Sequence, residues 1–139
     1  MKRVFIDTNV FIDFIARRGD FYRPAATIVS LARNQKIELC VSALSFATGS
    51  YLLERHYGMT RSQILADYQL FITLCGVTTV DADTVNRAVG SSFDDFEDAI
   101  QHYSALLDGV DCIVTRNKAD FEESDIPVLE PQEFLDSLR

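Results

Sequence analysis

Histidine and cysteine are scarce in this chain and long apolar runs are absent, and each shortage removes a class of function. Its 139 residues include two histidines, His56 and His102, too few for a His-rich metal site and a poor start for a hydrolase triad. The three cysteines, Cys40, Cys75 and Cys112, lie far apart and form no Cys-x-x-Cys pair. That pattern excludes a zinc ribbon or a disulfide framework and fits reduced core thiols. No apolar run approaches the ~20 residues needed to cross a bilayer. The opening "MKRVFID" meets an acid before any hydrophobic leader develops, so the chain is expected in the cytosol, with no membrane partner. No repeat, low-complexity tract or linker interrupts it, and its length predicts a single domain over residues 1–139.

What the chain has in excess is acid. Its net charge of −8 argues against a protein that coats nucleic acid. The charge is unevenly spread. Residues 1–80 carry 9 Lys/Arg against 6 Asp/Glu, a balance of +3, whereas residues 81–139 carry 4 against 15, a balance of −11. An acidic half is either a solvated surface or a set of carboxylates that binds a cation.

Apolar patterning alternates between two periods. Residues 2–6, "KIELCVS", "GVTTV", "CIVT" and "IPVLE" read as strands. Helices are predicted between them. Over 9–18, Val10, Phe11, Phe14 and Ile15 share one face with Asp13 and Arg17 opposite; Pro24 suits the first turn of "AATIVSLARNQ". "ALSFATGSYLLERHYG" ends at Gly58, and Thr60 with Gln63 forms a capping box ahead of "ILADYQLFITLC". "DADTVNRAVGSS", "DDFEDAIQHYSALLDG" and "PQEFLDSL" complete the set, the second with a buried stripe of Phe96, Ala99, Ile100, Tyr103, Leu106 and Leu107. Strands alternating with helices indicate an α/β fold, a mostly parallel sheet covered on both faces.

Such sheets collect ligands beyond the carboxyl ends of their strands. Asp7 stands there after the apolar Val4, Phe5 and Ile6, although an aspartate at that place also serves as a helix cap. Thr115, Asn117 and Asp120 follow a second apolar strand in the same way. Asp94 and Asp98 are four apart on one helix face, a like-charge spacing that costs a few tenths of a kcal/mol unless a cation offsets it. Asp7, Asp98, Asp120 and Asn117 are therefore expected to converge, an oxygen-only set suited to Mg²⁺ or Mn²⁺ and to phosphodiester cleavage. Arg116 and Lys118 flank this set, and Arg17, Arg18 and Arg23 form a second basic cluster suited to phosphate.

"VFIDTNVFID", "FEDAIQHYSA" and "CIVTRNKADF" together resemble the PIN-domain family, and most of all its VapC-like toxin ribonucleases of type II toxin–antitoxin systems. The resemblance covers essentially the whole chain. It implies a three-layer α/β/α sandwich, a site holding Mg²⁺ or Mn²⁺, and RNA as substrate. Asp7 and Asp98 match two of the family's acids, while Thr115, Asn117 and Asp120 match its Thr-x-Asp/Asn-x-x-Asp-Phe segment, with Asn9 and Arg116 as supporting or substrate-binding residues. One position departs from the pattern. Thr48 stands near where members carry a Glu, and the nearest acid, Glu54, lies almost two turns further on. Glu97 or Asp94 would be a substitute from the late helix. A homodimer and an antitoxin whose tail fills the acidic groove are also implied. The alternative is a degenerate member that binds RNA or a protein without cutting. A phosphoacceptor domain of the receiver or haloacid-dehalogenase type fits poorly, because "DTN" lacks the second Asp two residues on.

Overall fold

Val4, Phe5 and Ile6 are shut off from solvent because the strand that carries them has a strand on each edge and helices on each face. The computed structural model describes residues 1–139. Its strands are β1 (Arg3–Ile6), β2 (Glu38–Ser42), β3 (Cys75–Thr78), β4 (Cys112–Val114) and β5 (Val128–Leu129). Its helices are α1 (Thr8–Ile15), α2 (Tyr22–Arg33), α3 (Ala43–Tyr57), α4 (Arg61–Phe71), α5 (Ala82–Val89), α6 (Phe96–Leu107) and α7 (Pro131–Ser137). Single 3₁₀ turns lie at Gly19–Phe21 and Lys118–Phe121. None of the helices is long and apolar enough to cross a membrane.

Every strand pairing is parallel, in the order β3-β2-β1-β4-β5. Side chains alternate between the faces, as the pleat requires. Val4, Ile6, Leu39, Val41, Cys112 and Val114 pack on one side with residues of α1, α2, α3, α4 and α7. Phe5, Cys40 and Ile113 pack on the other with Ala105 of α6 and Phe121. From β1 the chain moves outward through β2 to β3, then returns to lay β4 on the opposite edge of β1. The reversal makes the carboxyl end of β1 and β4 a topological switch point, where a crevice opens between diverging connections.

Two helices bury different faces from those the periodicity predicts. Asp13 is buried, not opposite the core, since α1 is enclosed by α2, by α3 and by the loop after β4, from which Arg116 supplies its partner. In α6, Phe96 and Leu107 are exposed while Gln101, His102 and Ser104 are buried. This helix packs on the sheet through Ala105 and on Ala88 of α5 through Ala99 and Ile100, which turns a polar strip inward. That strip is largely hydrogen-bonded: Ser104 meets the Thr78 hydroxyl at 2.6 Å and donates to the Thr79 carbonyl at 2.8 Å. His102 Nε2 accepts from the Asp125 amide at 3.3 Å, and its Nδ1 has no partner.

The capping box of Thr60 and Gln63 forms as expected and starts α4, which docks on α3 and α1 through an aromatic cluster. Phe11 lies 5.1 Å from both Phe46 and Phe71, ring centre to ring centre. Gly49 permits this approach. A Cβ there would stand 2.8 Å from the Tyr68 hydroxyl, itself bonded to the Phe46 carbonyl, and 3.0 Å from Phe11. Alanine would gain about 1 kcal/mol of helix propensity, but overpacking costs about 1–3 kcal/mol. Gly49→Ala is therefore expected to lower stability by up to about 2 kcal/mol in urea unfolding. A more stable variant would mean that Tyr68 moves aside freely.

Candidate active site

β1 ends at Ile6, and the next residue turns its carboxylate back over the first turn of α1. Asp7 is the helix N-cap, and its Oδ1 accepts the Thr8 N–H at 2.8 Å. Oδ2 accepts the Thr115 hydroxyl, from the end of β4, at 2.9 Å, and the Asn9 amide lies at 3.4 Å. Asp7 is only 6% exposed and has no cation beside it. Burial pushes its carboxyl up from the ordinary range, opposed by the hydrogen bonds from Thr115 and Thr8.

A residue that the sequence patterns did not single out ties this corner together. Gln101 of α6 is fully buried, and its Nε2 donates at 2.7 Å to the hydroxyls of Thr8 and Ser45, with Asp7 Oδ1 at 3.4 Å. Its Oε1 accepts the Ser42 hydroxyl. Ser42 also caps α3 by accepting the Ser45 N–H at 3.2 Å. One amide thus links the ends of β1 and β2 to α6. Its signal in the sequence was slight: Gln101 is three residues beyond Asp98, on the same helix face.

Above Asp7 opens a groove of about 830 Å³. Asp95, Glu97 and Asp98 enter it from the start of α6, with Asn117 and Asp120 from the segment after β4. Asp7, Asp98, Asn117 and Asp120 are thus brought to one place. Thr115 and Asn9 sit beneath them, joined at 3.2 Å. Asp98 is pushed up to about 7, first by burial and then by the charges of Asp7, Asp95, Asp120 and Glu97. Thr48 of α3 lines the same groove, as does Glu97; Asp94 and Glu54 do not. No three His, Cys, Asp or Glu side chains stand close enough together to enclose an ion.

The basic residues divide. Arg116 turns away from the groove: its Nε donates to Asp13 at 2.7 Å and its guanidinium lies 3.9 Å above the Phe21 ring. Lys118 pairs with Glu133 at 3.1 Å. Arg17 lines a separate cleft between α1, α2 and α4, while Arg18 enters the groove.

Two measurements probe these contacts. Gln101→Leu would leave the Thr8, Ser42 and Ser45 hydroxyls short of partners, and is expected to cost about 2 kcal/mol of unfolding free energy. An unchanged stability would remove Gln101 as the tie. Asp98 holds its proton more tightly folded than unfolded, so the cost of ionising it is absent below its ordinary 3.8, grows above that, and is complete beyond about 7. In EDTA, Asp98→Asn should therefore melt close to wild type at acid pH and several degrees higher at alkaline pH. A pH-independent difference would contradict the crowding of acids around it.

A family model described as PIN domain matches residues 3–119. No curated protein sequence matches the chain. Among solved structures, a toxin–antitoxin complex from Klebsiella pneumoniae aligns with a TM-score of 0.67 at 20% identity, over 92% of this chain and 97% of that one. VapBC2 from Rickettsia felis, bound to a promoter DNA fragment, aligns at 0.65 and 16% identity over 92% and 97%. Mycobacterium tuberculosis VapC20, a toxin that cleaves the sarcin–ricin loop, aligns at 0.63 and 19% over 79% and 86%. At such identities the likeness is one of fold. The family model spans most of the sequence and takes in both strands that meet at Asp7, and on that ground the chain belongs to the PIN-domain family.

Proposed function

We propose that the chain is a metal-dependent endoribonuclease, the toxin of a toxin–antitoxin pair, that cleaves RNA phosphodiester bonds in the cytosol. The observation that carries this reading is the meeting of Asp7, Asp98, Asp120 and Asn117 in one groove at the carboxyl edge of a parallel sheet. Five carboxylates line that groove with Arg18 as their one arginine. A hard divalent cation is the natural counter-charge for oxygen donors of this kind. Mg²⁺ and Mn²⁺ keep several waters and take few direct carboxylates, so they would need only some of these acids as direct ligands.

Asp7, Asp98 and Asp120 would hold the ion, with Asn117 as a neutral ligand or orienting group. Bound there, it would supply an acidified water for attack on phosphorus and offset charge on the phosphate oxygens. The chain's own residues prepare the place. Thr115 and the Thr8 N–H fix the plane of the Asp7 carboxylate, and their two short bonds use two of its roughly four acceptor positions. Gln101 holds Thr8 in turn. A homodimer and a cognate antitoxin belong to the same proposal; support for the antitoxin is that structural relatives from R. felis and K. pneumoniae are toxin–antitoxin assemblies. Leu65, Leu70 and Ile72 leave apolar surface exposed on and after α4 for such contacts.

A second reading, a PIN domain that binds RNA or a protein without cutting, is favoured by Thr48 in the groove where the family pattern has Glu. Incubating the purified chain with a mixed RNA pool in Mn²⁺ separates the two. Cleavage should stop in EDTA and fall about a hundredfold or more in Asp7→Asn. Cleavage that survives Asp7→Asn would remove the assignment of the site. Silence with both Mn²⁺ and Mg²⁺ would leave the non-cutting reading.

A further inference from the structure

Asp13 does not line the groove, yet its side chain is 1% exposed and tied to a segment that does. It lies on α1 four residues beyond Asn9, so the two share a helix face. Both grip the same residue after β4. Asn9 Oδ1 accepts the Arg116 backbone N–H at 3.3 Å. The Asp13 carboxylate accepts the Arg116 guanidinium twice, from Nε at 2.7 Å and from Nη2 at 3.3 Å. A fork of this kind fixes the plane of the guanidinium as well as its distance. The Phe21 ring lies against the same guanidinium, its centre 3.9 Å away.

Asp13 has a second arginine near it, and the backbone decides how close that one comes. Arg17 has a φ of 53° and Gly19 one of 47°, so two left-handed residues flank Arg18 where α1 ends. The Arg18 N–H donates to the Asp13 carbonyl at 3.0 Å, but its guanidinium stays 3.8 Å from the carboxylate, between the Phe21 and Tyr57 rings. Arg116 is therefore the partner that Asp13 holds.

Arg116 stands between two residues of the site, and fixing it sets both. On one side, the Thr115 hydroxyl donates to Asp7 Oδ2 at 2.9 Å and receives the Asn9 amide at 3.2 Å and the Asn117 N–H at 3.1 Å. On the other side, Asn117 lines the groove. A buried ion pair is a weak source of stability, because desolvation offsets most of the attraction and apolar residues of similar volume often serve as well. What this pair supplies is a fixed geometry across 103 positions of sequence. We propose that Asp13 is a positioning residue of the metal site: by clamping Arg116 it sets Thr115 against Asp7 and holds Asn117 in the groove. The inference rests on the ribonuclease reading for the ion, and it adds to that site a residue that acts only through its partner.

The test titrates the full chain with Mn²⁺, reading the free ion by its electron paramagnetic resonance signal. Urea unfolding in EDTA measures stability apart from the ion. Arg116→Lys keeps the charge and loses the fork, and should weaken Mn²⁺ binding about tenfold. Asp13→Leu combined with Arg116→Met replaces the pair by apolar side chains. That double variant should unfold at a urea midpoint close to wild type, yet bind Mn²⁺ about ten- to a hundredfold more weakly. A folded double variant with wild-type Mn²⁺ affinity would overturn the proposal, since the pair would then serve stability alone. Should the double variant not fold, Arg116→Lys decides: unchanged affinity overturns the clamp, and a tenfold loss in a folded chain supports it. Asp7-dependent cleavage by wild type, with full Mn²⁺ affinity in the variants, would sink the clamp and keep the ribonuclease. Weakened Mn²⁺ binding in the variants, with no cleavage by wild type, would keep the clamp and sink the ribonuclease. A wild type that binds no Mn²⁺ would overturn both.

Discussion

A carboxylate buried without a cation beside it is costly, and the arrangement of the sheet's carboxyl edge follows from how Asp7 is accommodated. Taking an ionised carboxylate from water is tolerated when hydrogen bonds or opposite charges replace the lost solvation. Asp7 receives the Thr8 amide, the Thr115 hydroxyl and the more distant amides of Asn9 and Gln101, all neutral groups. These partners belong to α1, the end of β4 and α6, and only the parallel pairing of β1 with β4 brings the first two together. Asp13 offers the contrast within the same helix. It is also buried, but Arg116 holds it at 2.7 Å and Arg18 stands nearby. One aspartate is neutralised and serves the fold. The other is held in place by dipoles alone, and burial pushes its carboxyl up.

The same economy explains why Gln101 matters. A buried network of Thr8, Ser42, Ser45 and Gln101 is worth building only if every member finds a partner, and here each does. It stiffens the base of the groove, from which Asp7 and Asp98 face one another's charge. Thr48 contributes no charge to that field, whereas Asp95 and Glu97 add two acids from α6. The groove's negative potential therefore comes mainly from one helix N-terminus and the segment after β4. Its other side, built by α3, is left free for different chemistry.

Much of this was legible in the sequence, and the misses share a cause. Apolar alternation located β1, β2 and β4, and the acid that follows β1 stands at the carboxyl edge, where parallel sheets open. Spacing put Asp94 and Asp98 on one face of a single helix, whereas α6 begins at Phe96, which leaves Asp94 outside it and Asp98 in its first turn. Periodicity gives which residues share a face, but the neighbours decide which arc is buried. Asp13 was read as outward because its partner, Arg116, lies 103 positions away. Phe96 was read as inward, yet the first turn of α6 lies beside the open groove, and the buried arc turns toward Gln101, His102 and Ser104. Arg116 looked free beside the acids and proved to be engaged for the same reason.

Charge on the whole molecule and charge at the groove have separate consequences. A net −8 opposes a polyanion at long range, but at physiological salt that repulsion is screened beyond ~8 Å. Within that distance the outcome depends on which groups stand at the surface of approach. Arg116 and Lys118, the residues nearest the acids in sequence, are committed to Asp13 and Glu133. The loosely held cation is Arg18, set in the groove by two left-handed residues and flanked by exposed rings. An anion can thus approach this groove closely only where a divalent ion offsets the five acids that line it.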